Sequence, residues 1–187
     1  MTDSSSVIRF LTYNIRLTLE KGVDSVVQTL VSINADVVAL QEVGDFWPMG
    51  PDSNLTAQIA EGAGYPHHFF GGALFEGGGA YGIALLSRWP IHNTHVDQLP
   101  REIDEQRILL RAEVGDPTIT LWNTHLSVKK NDRDPQLHWL WLAMETEKPD
   151  ILLGDLNTTP RDPLLAQLPM QSTYQGNPPA TYPTIEP

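Results

Sequence analysis

The chain has 187 residues, no cysteine, and 12 basic against 23 acidic side chains, a net charge of −11. That length suits one domain with a real core. The missing cysteines exclude disulfides, thiol nucleophiles and cysteine metal sites, and the charge argues against a sequence-blind duplex binder, which needs clustered Lys and Arg.

Val7 to Tyr13 is β-branched and aromatic and predicts a buried strand. Val23, Val26, Val27 and Leu30 recur at i, i+3, i+4 and i+7, an amphipathic helix. Ala35 to Leu40 predicts a second strand ending at Gln41-Glu42, and Leu55 to Ala63 a short helix. Strand, helix, strand is an α/β opening. Gly82 to Ser87, Ile91 to Gln98, Ile108 to Val114 and Ile119 to His125 follow as strands separated by Gly, Pro or Asp, which suggests hairpins. Asp134-Pro135 reads as an N-cap with proline at the first helical position. Leu137, Leu140, Trp141 and Met144 give that helix an apolar face. Asp150 to Leu153 predicts a last strand, broken at Gly154. From Pro160 onward there are 7 prolines in 28 residues, so loop is expected, with at most a helical turn near Leu164 to Leu168. No linker divides the chain, so residues 1–187 are read as one domain.

No apolar run approaches the ~20 residues that span a bilayer. Met1-Thr-Asp-Ser-Ser-Ser6 has neither the basic nor the apolar part of a secretory signal. The expectation is a cytoplasmic protein.

Several strand candidates end in polar groups that a strand interior would exclude: Asn14, Glu42, His125, and Asp155 with Asn157. In open α/β sheets, ligand sites gather at the carboxyl ends of strands. If these ends converge, they form an oxygen-rich site suited to Mg²⁺ or Mn²⁺ rather than a soft metal. Each residue alone is an ordinary turn former, cap or structural histidine; the set in this order is the signal.

Leu11-Thr-Tyr-Asn14-Ile, Leu40-Gln-Glu42-Val, Gly82-Ile-Ala-Leu-Leu-Ser-Arg88, Asn123-Thr-His125-Leu and Gly154-Asp155-Leu-Asn157 together resemble the endonuclease/exonuclease/phosphatase superfamily. That group includes pancreatic deoxyribonuclease, abasic-site endonucleases, sphingomyelinases and inositol polyphosphate phosphatases. The resemblance runs from about Arg9 to Tyr182. It implies a four-layer α/β sandwich of two mainly antiparallel sheets flanked by helices, and Mg²⁺-dependent phosphoester hydrolysis. By that resemblance Glu42 is the principal metal ligand with Asn14 beside it. His125 hydrogen-bonds the phosphate, Asp155 and Asn157 orient the attacking water and the phosphoryl oxygens, and Arg107 contacts substrate phosphate. Tyr81 is a candidate for lining the site.

The resemblance also implies a final Ile-Asp-Tyr-Ile-like strand and a Ser-Asp-His motif carrying the general base. The sequence reaches Ala180-Thr-Tyr-Pro-Thr-Ile-Glu-Pro187 without either. His67, His68, His92, His95 and His138 do not sit in such a motif. The expectation is therefore a fold lacking its last strands, with poor activity alone and self-association through the incomplete sheet edge. The alternative is a non-catalytic metal-binding pseudoenzyme or truncated scaffold lacking the general base. The expected substrate is a phosphoester on a small molecule, a lipid headgroup or single-stranded nucleic acid, not tightly held duplex DNA. Gly77-Gly-Gly79-Ala-Tyr-Gly82 fits the dinucleotide fingerprint in letters only. It leads into a strand rather than a helix, so it reads as a hairpin tip.

Overall fold

A computed structural model describes residues 7–173. The first half of the chain builds β1 (Phe10–Asn14), α1 (Gly22–Ile33), β2 (Val37–Asp45), α2 (Leu55–Ala63), β3 (His67–Glu76) and β4 (Gly79–Ser87). Its strands form one sheet in the order β1-β2-β4-β3, with β1 and β2 parallel and the other neighbours antiparallel. The second half builds β5 (Ile91–Gln98), β6 (Ile108–Val114), β7 (Ile119–His125), α3 (Lys130–Thr146) and β8 (Ile151–Asp155). These strands form a second sheet in the order β5-β6-β7-β8, parallel only between β7 and β8. A parallel pair needs a long crossover, and α1 and α3 supply one to each sheet. Both sheets are therefore mixed, with antiparallel pairs in the majority.

Side chains alternate across each strand, and this sorts the core into layers. Val37, Ala39, Ile83 and Leu85 of the first sheet meet Ile108, Leu110, Ala112 and Leu121 of the second. Val38, Leu40, Ala84 and Leu86 point the other way, against Val26 and Leu30 of α1 and Leu55 and Ile59 of α2. On the far side Leu109 and Trp122 pack under Leu137, Leu140 and Met144 of α3. The result is helix, sheet, sheet, helix. β2 is apolar on both faces because it is covered on both. Each fully buried Leu or Ile in these layers contributes ~1.5–3 kcal/mol.

The elements differ from the sequence reading in several places. β1 starts at Phe10; Val7 and Ile8 precede it and are exposed. β2 runs on through Glu42 to Asp45 by inserting a bulge between Gln41 and Val43. β3 was not anticipated. α3 begins at Lys130, and Pro135 lies inside it. The amide that Pro135 lacks would have bonded to the exposed Asn131 carbonyl, a group that water can serve. β8 continues through Gly154 to Asp155. The glycine-rich segment is the β3–β4 turn, at Gly77 and Gly78, as the hairpin reading requires. A short 3-10 turn at Leu165–Gln167 falls where one was expected. The expected chain end at residues 180–187 lies outside the described residues.

Candidate active site

The two parallel pairs bring strand ends together. Asn14 of β1 lies beside Gln41 of β2, and His125 of β7 lies beside Asp155 of β8. Across the sandwich β1 meets β8: Asn14 Nδ2 donates to Asp155 Oδ2 at 3.1 Å and to Glu42 Oε1 at 2.7 Å. One carboxamide from the first sheet thus joins a carboxylate of each sheet. Asn14 Oδ1 accepts from the Arg16 amide at 3.1 Å, which fixes the side chain.

Glu42 owes its position to the bulge. It sits at φ 55°, a left-handed conformation uncommon outside glycine and Asn/Asp. The extra residue re-aims the strand, as bulges beside active sites do. Gln41 then turns inward and is almost fully buried. Its Nε2 donates to Asn123 Oδ1 at 2.9 Å and to Thr12 Oγ1 at 3.1 Å. Asn123 Nδ2 donates back to the Ala84 carbonyl at 3.0 Å. This amide pair ties the two sheets directly beneath the site.

His125 is 5% exposed. Its Nδ1 faces Arg107 Nη1 at 2.7 Å. Its Nε2 lies 3.1 Å from Asn157 Nδ2 and 3.8 Å from Asp155 Oδ2. Burial first, then the Arg107 charge, push the imidazole down to about 4, while Asp155 and Asp104 pull the other way. Asn157 is held by its own backbone amide donating to Asp155 Oδ1 at 3.0 Å and by Nδ2 donating to the Leu126 carbonyl at 2.8 Å. Gly154 makes this approach possible: at φ 145° a Cβ there would stand 2.1 Å from the Thr124 carbonyl oxygen.

Arg107 is buried, with Nη2 on Glu105 Oε1 at 2.9 Å. Burial raises Glu105 above the usual carboxylate range; Asp104 and Glu42 add to this and Arg107 opposes it. Burial, reinforced by Glu42 and Glu105, likewise raises Tyr81, whose hydroxyl is within hydrogen-bonding reach of Arg107. Tyr81 therefore lies beside Arg107.

The loop carrying Glu105 and Arg107 is organised from α3. Asp132, 1% exposed, accepts the backbone amides of Glu102 and Asp104, each at 2.6 Å, and of Ile103 at 3.2 Å. Gln136 accepts the Ser127 amide and donates to the Pro100 carbonyl. Ser127 in turn hydrogen-bonds Asp104. Only the fold shows Asp132 to be the anchor of this loop. Glu105 carries no motif and was not anticipated.

The structure thus brings Asn14, Glu42, Asp155, His125 and Asn157 to one mouth, with Arg107 behind His125. Among the described residues no three His, Cys, Asp or Glu side chains cluster as metal ligands. The oxygens present do fit a hard cation: Mg²⁺ keeps several waters and takes one or two carboxylates. Glu42 and Asp155 approach each other with only the neutral Asn14 amide between them, a juxtaposition that a cation would stabilise. Among the described residues no helix is long and apolar enough to cross a membrane.

The sequence matches the endonuclease/exonuclease/phosphatase family over residues 11–185, and the chain belongs to that family. Solved structures agree on the fold. An endonuclease/exonuclease/phosphatase from Beutenbergia cavernae DSM 12333 is 26% identical with a TM-score of 0.70, the match covering 84% of this chain and 50% of that one. A mannosyl-6-phosphatase from Bacteroides thetaiotaomicron VPI-5482 is 14% identical at TM-score 0.64, covering 87% and 70%. TDP2 from D. rerio, complexed with single strand DNA product, is 21% identical at TM-score 0.61, covering 86% and 64%. The chain spans half the length of the Beutenbergia protein. No curated protein matches the sequence.

Proposed function

We propose that this chain carries the site of a Mg²⁺- or Mn²⁺-dependent phosphoesterase. The observation behind this reading is the single Asn14 amide joining Glu42 to Asp155, beside a neutral His125. Glu42 would hold the cation, with Asn14 adjacent directly or through water. When bound, the cation supplies charge neutralisation at the phosphate. His125 donates to a non-bridging phosphoryl oxygen, and Asp155 with Asn157 orients water and phosphate. Carboxamide and imidazole donors serve here because they oppose the growing negative charge without adding to it. We place the substrate among phosphoesters on small molecules, lipid headgroups or single strands. The 12 basic residues are scattered in a chain of net charge −11, and tight duplex binding needs several phosphate contacts.

Calorimetric titration of Mn²⁺ and Mg²⁺ into wild type and Glu42→Ala tests the site. A loss of at least ~10-fold in affinity is expected, since even supporting residues around metals carry 10–100-fold. Equal affinity would remove Glu42. Turnover in Mg²⁺ on an aryl phosphodiester, a phospholipid, single-stranded RNA and duplex DNA at two salt concentrations tests the substrate class. Fastest turnover on duplex DNA with a steep salt dependence would overturn the charge argument.

A further inference from the structure

We propose that Arg107 is a positioning residue: by donating from Nη1 to His125 Nδ1 it locks the ring in the neutral tautomer that carries its proton on Nε2. The inference rests on the phosphoesterase reading for its catalytic meaning, but not for its geometry. A guanidinium has five N–H donors and no acceptor, and it stays charged in proteins. At 2.7 Å from Nδ1 it leaves that nitrogen only one role, a lone pair. A neutral imidazole has one proton, so Nε2 holds it.

The other end of Arg107 supports the same role. Nη2 is committed to Glu105 Oε1 at 2.9 Å, and the residue is 6% exposed. The guanidinium is braced between a carboxylate and the imidazole, behind His125 rather than at the mouth. This differs from the direct phosphate contact expected from sequence. Asp132 completes the brace by fixing the three amides that precede Glu105.

The lock has a consequence on the open side of the ring. Asn157 Nδ2 already donates one proton to the Leu126 carbonyl and lies 3.1 Å from Nε2. Two donors at that distance cannot satisfy each other. Both are completed by one acceptor placed between them, and a phosphoryl oxygen is such an acceptor. Arg107 therefore contributes to anion recognition through the proton it forces onto Nε2.

Long-range ¹H–¹⁵N correlation spectra of the histidine rings in the full, metal-free chain test this directly, with His125 assigned by its loss in His125→Gln. Wild type at pH 7 should show a single Nε2–H pattern. Arg107→Met should give a tautomer mixture and move the His125 midpoint back toward the ordinary imidazole value of 6.5. Arg107→Lys, which keeps a donor, should restore part of the pattern. An Nδ1–H tautomer or an imidazolium in wild type would overturn the proposal, whether or not the variants fold; so would an unchanged pattern in a folded Arg107→Met. On an active substrate, Arg107→Met should lower kcat by up to ~10²-fold, the scale of a lost oxyanion donor, with KM nearly unchanged. A rise in KM alone would instead assign Arg107 to phosphate. If no substrate turns over and no divalent cation binds, the phosphoesterase reading fails while the spectra still decide the lock.

Discussion

Acid should destabilise this protein through His125 in a pH window of its own. The perturbation is protonation of a ring that folding buries against Arg107. Unfolded, the ring titrates near 6.5; folded, near 4. Above pH 6.5 both states are neutral and the contribution is fully present. As pH falls below 6.5 the unfolded chain binds a proton that the folded chain refuses, so stability drops until the folded value is passed. At ~1.36 kcal/mol per pH unit the full loss is ~3 kcal/mol, and by pH 5.2, still above the sequence pI of about 4.8, it is ~2 kcal/mol. Glu105, raised by burial, works in the opposite direction as it protonates. Asp104, Asp150 and Asp162 are lowered and lose their contributions only below the ordinary carboxylate value of 3.8. Subtracting His125→Gln from wild type at each pH isolates the ring. Urea unfolding followed by tryptophan fluorescence, with a slope of ~2 kcal/mol/M, should show the wild-type advantage shrinking by ~1 M in midpoint between pH 8 and 5.2. A difference that stays flat across that range would mean that His125 protonates as readily folded as unfolded, and the Arg107 contact would have to be abandoned.

Two further substitutions probe the scaffold. Gly154→Ala forces a Cβ to within 2.1 Å of the Thr124 carbonyl at an unfavourable φ and should cost ~3 kcal/mol through displacement and strain; a urea midpoint within ~0.5 M of wild type would show that β8 yields cheaply. Asp132→Asn keeps the shape but turns one acceptor into a donor facing an amide, at ~2 kcal/mol, and should remove hydrogen-exchange protection from Glu102, Ile103 and Asp104; unchanged protection would relieve Asp132 of its role.

What the sequence showed depended on whether the cause was local. The strands Ile91–Gln98, Ile108–Val114 and Ile119–His125 and the helix Leu55–Ala63 lie where pattern and turn residues placed them, because alternation and caps act over a few residues. β3 was missed because Gly71-Gly72 reads as a break. Its glycine is required by something distant: a Cβ at Gly71 would press on Ile108, Leu110 and Val96 of the other sheet at 3.2 Å. Pro135 misplaced the start of α3 because the real reason for that start is Asp132 reaching back to the loop at 102–104. In the site, the polar strand ends were visible because polar groups stand out in apolar runs. Glu105 and Arg107 were harder to place because they lie in a charged loop, and only tertiary contact shows that Arg107 is buried behind His125 and paired with Glu105.

Among the described residues the chain changes sheets only once, between Ser87 and Ile91. The described strands before that point build the sheet bearing Asn14 and Glu42; those after it build the sheet bearing His125 and Asp155, with Asn157 just beyond its last strand. Neither half owns a site. The cluster exists only along a seam, joined where Gln41 meets Asn123 and where Asn14 meets Asp155. The molecule is in this sense a coincidence device: these side chains meet only when the two halves of the chain have docked in register. A cut between Ser87 and Ile91 would leave Asn14 and Glu42 on one piece and His125, Asp155 and Asn157 on the other.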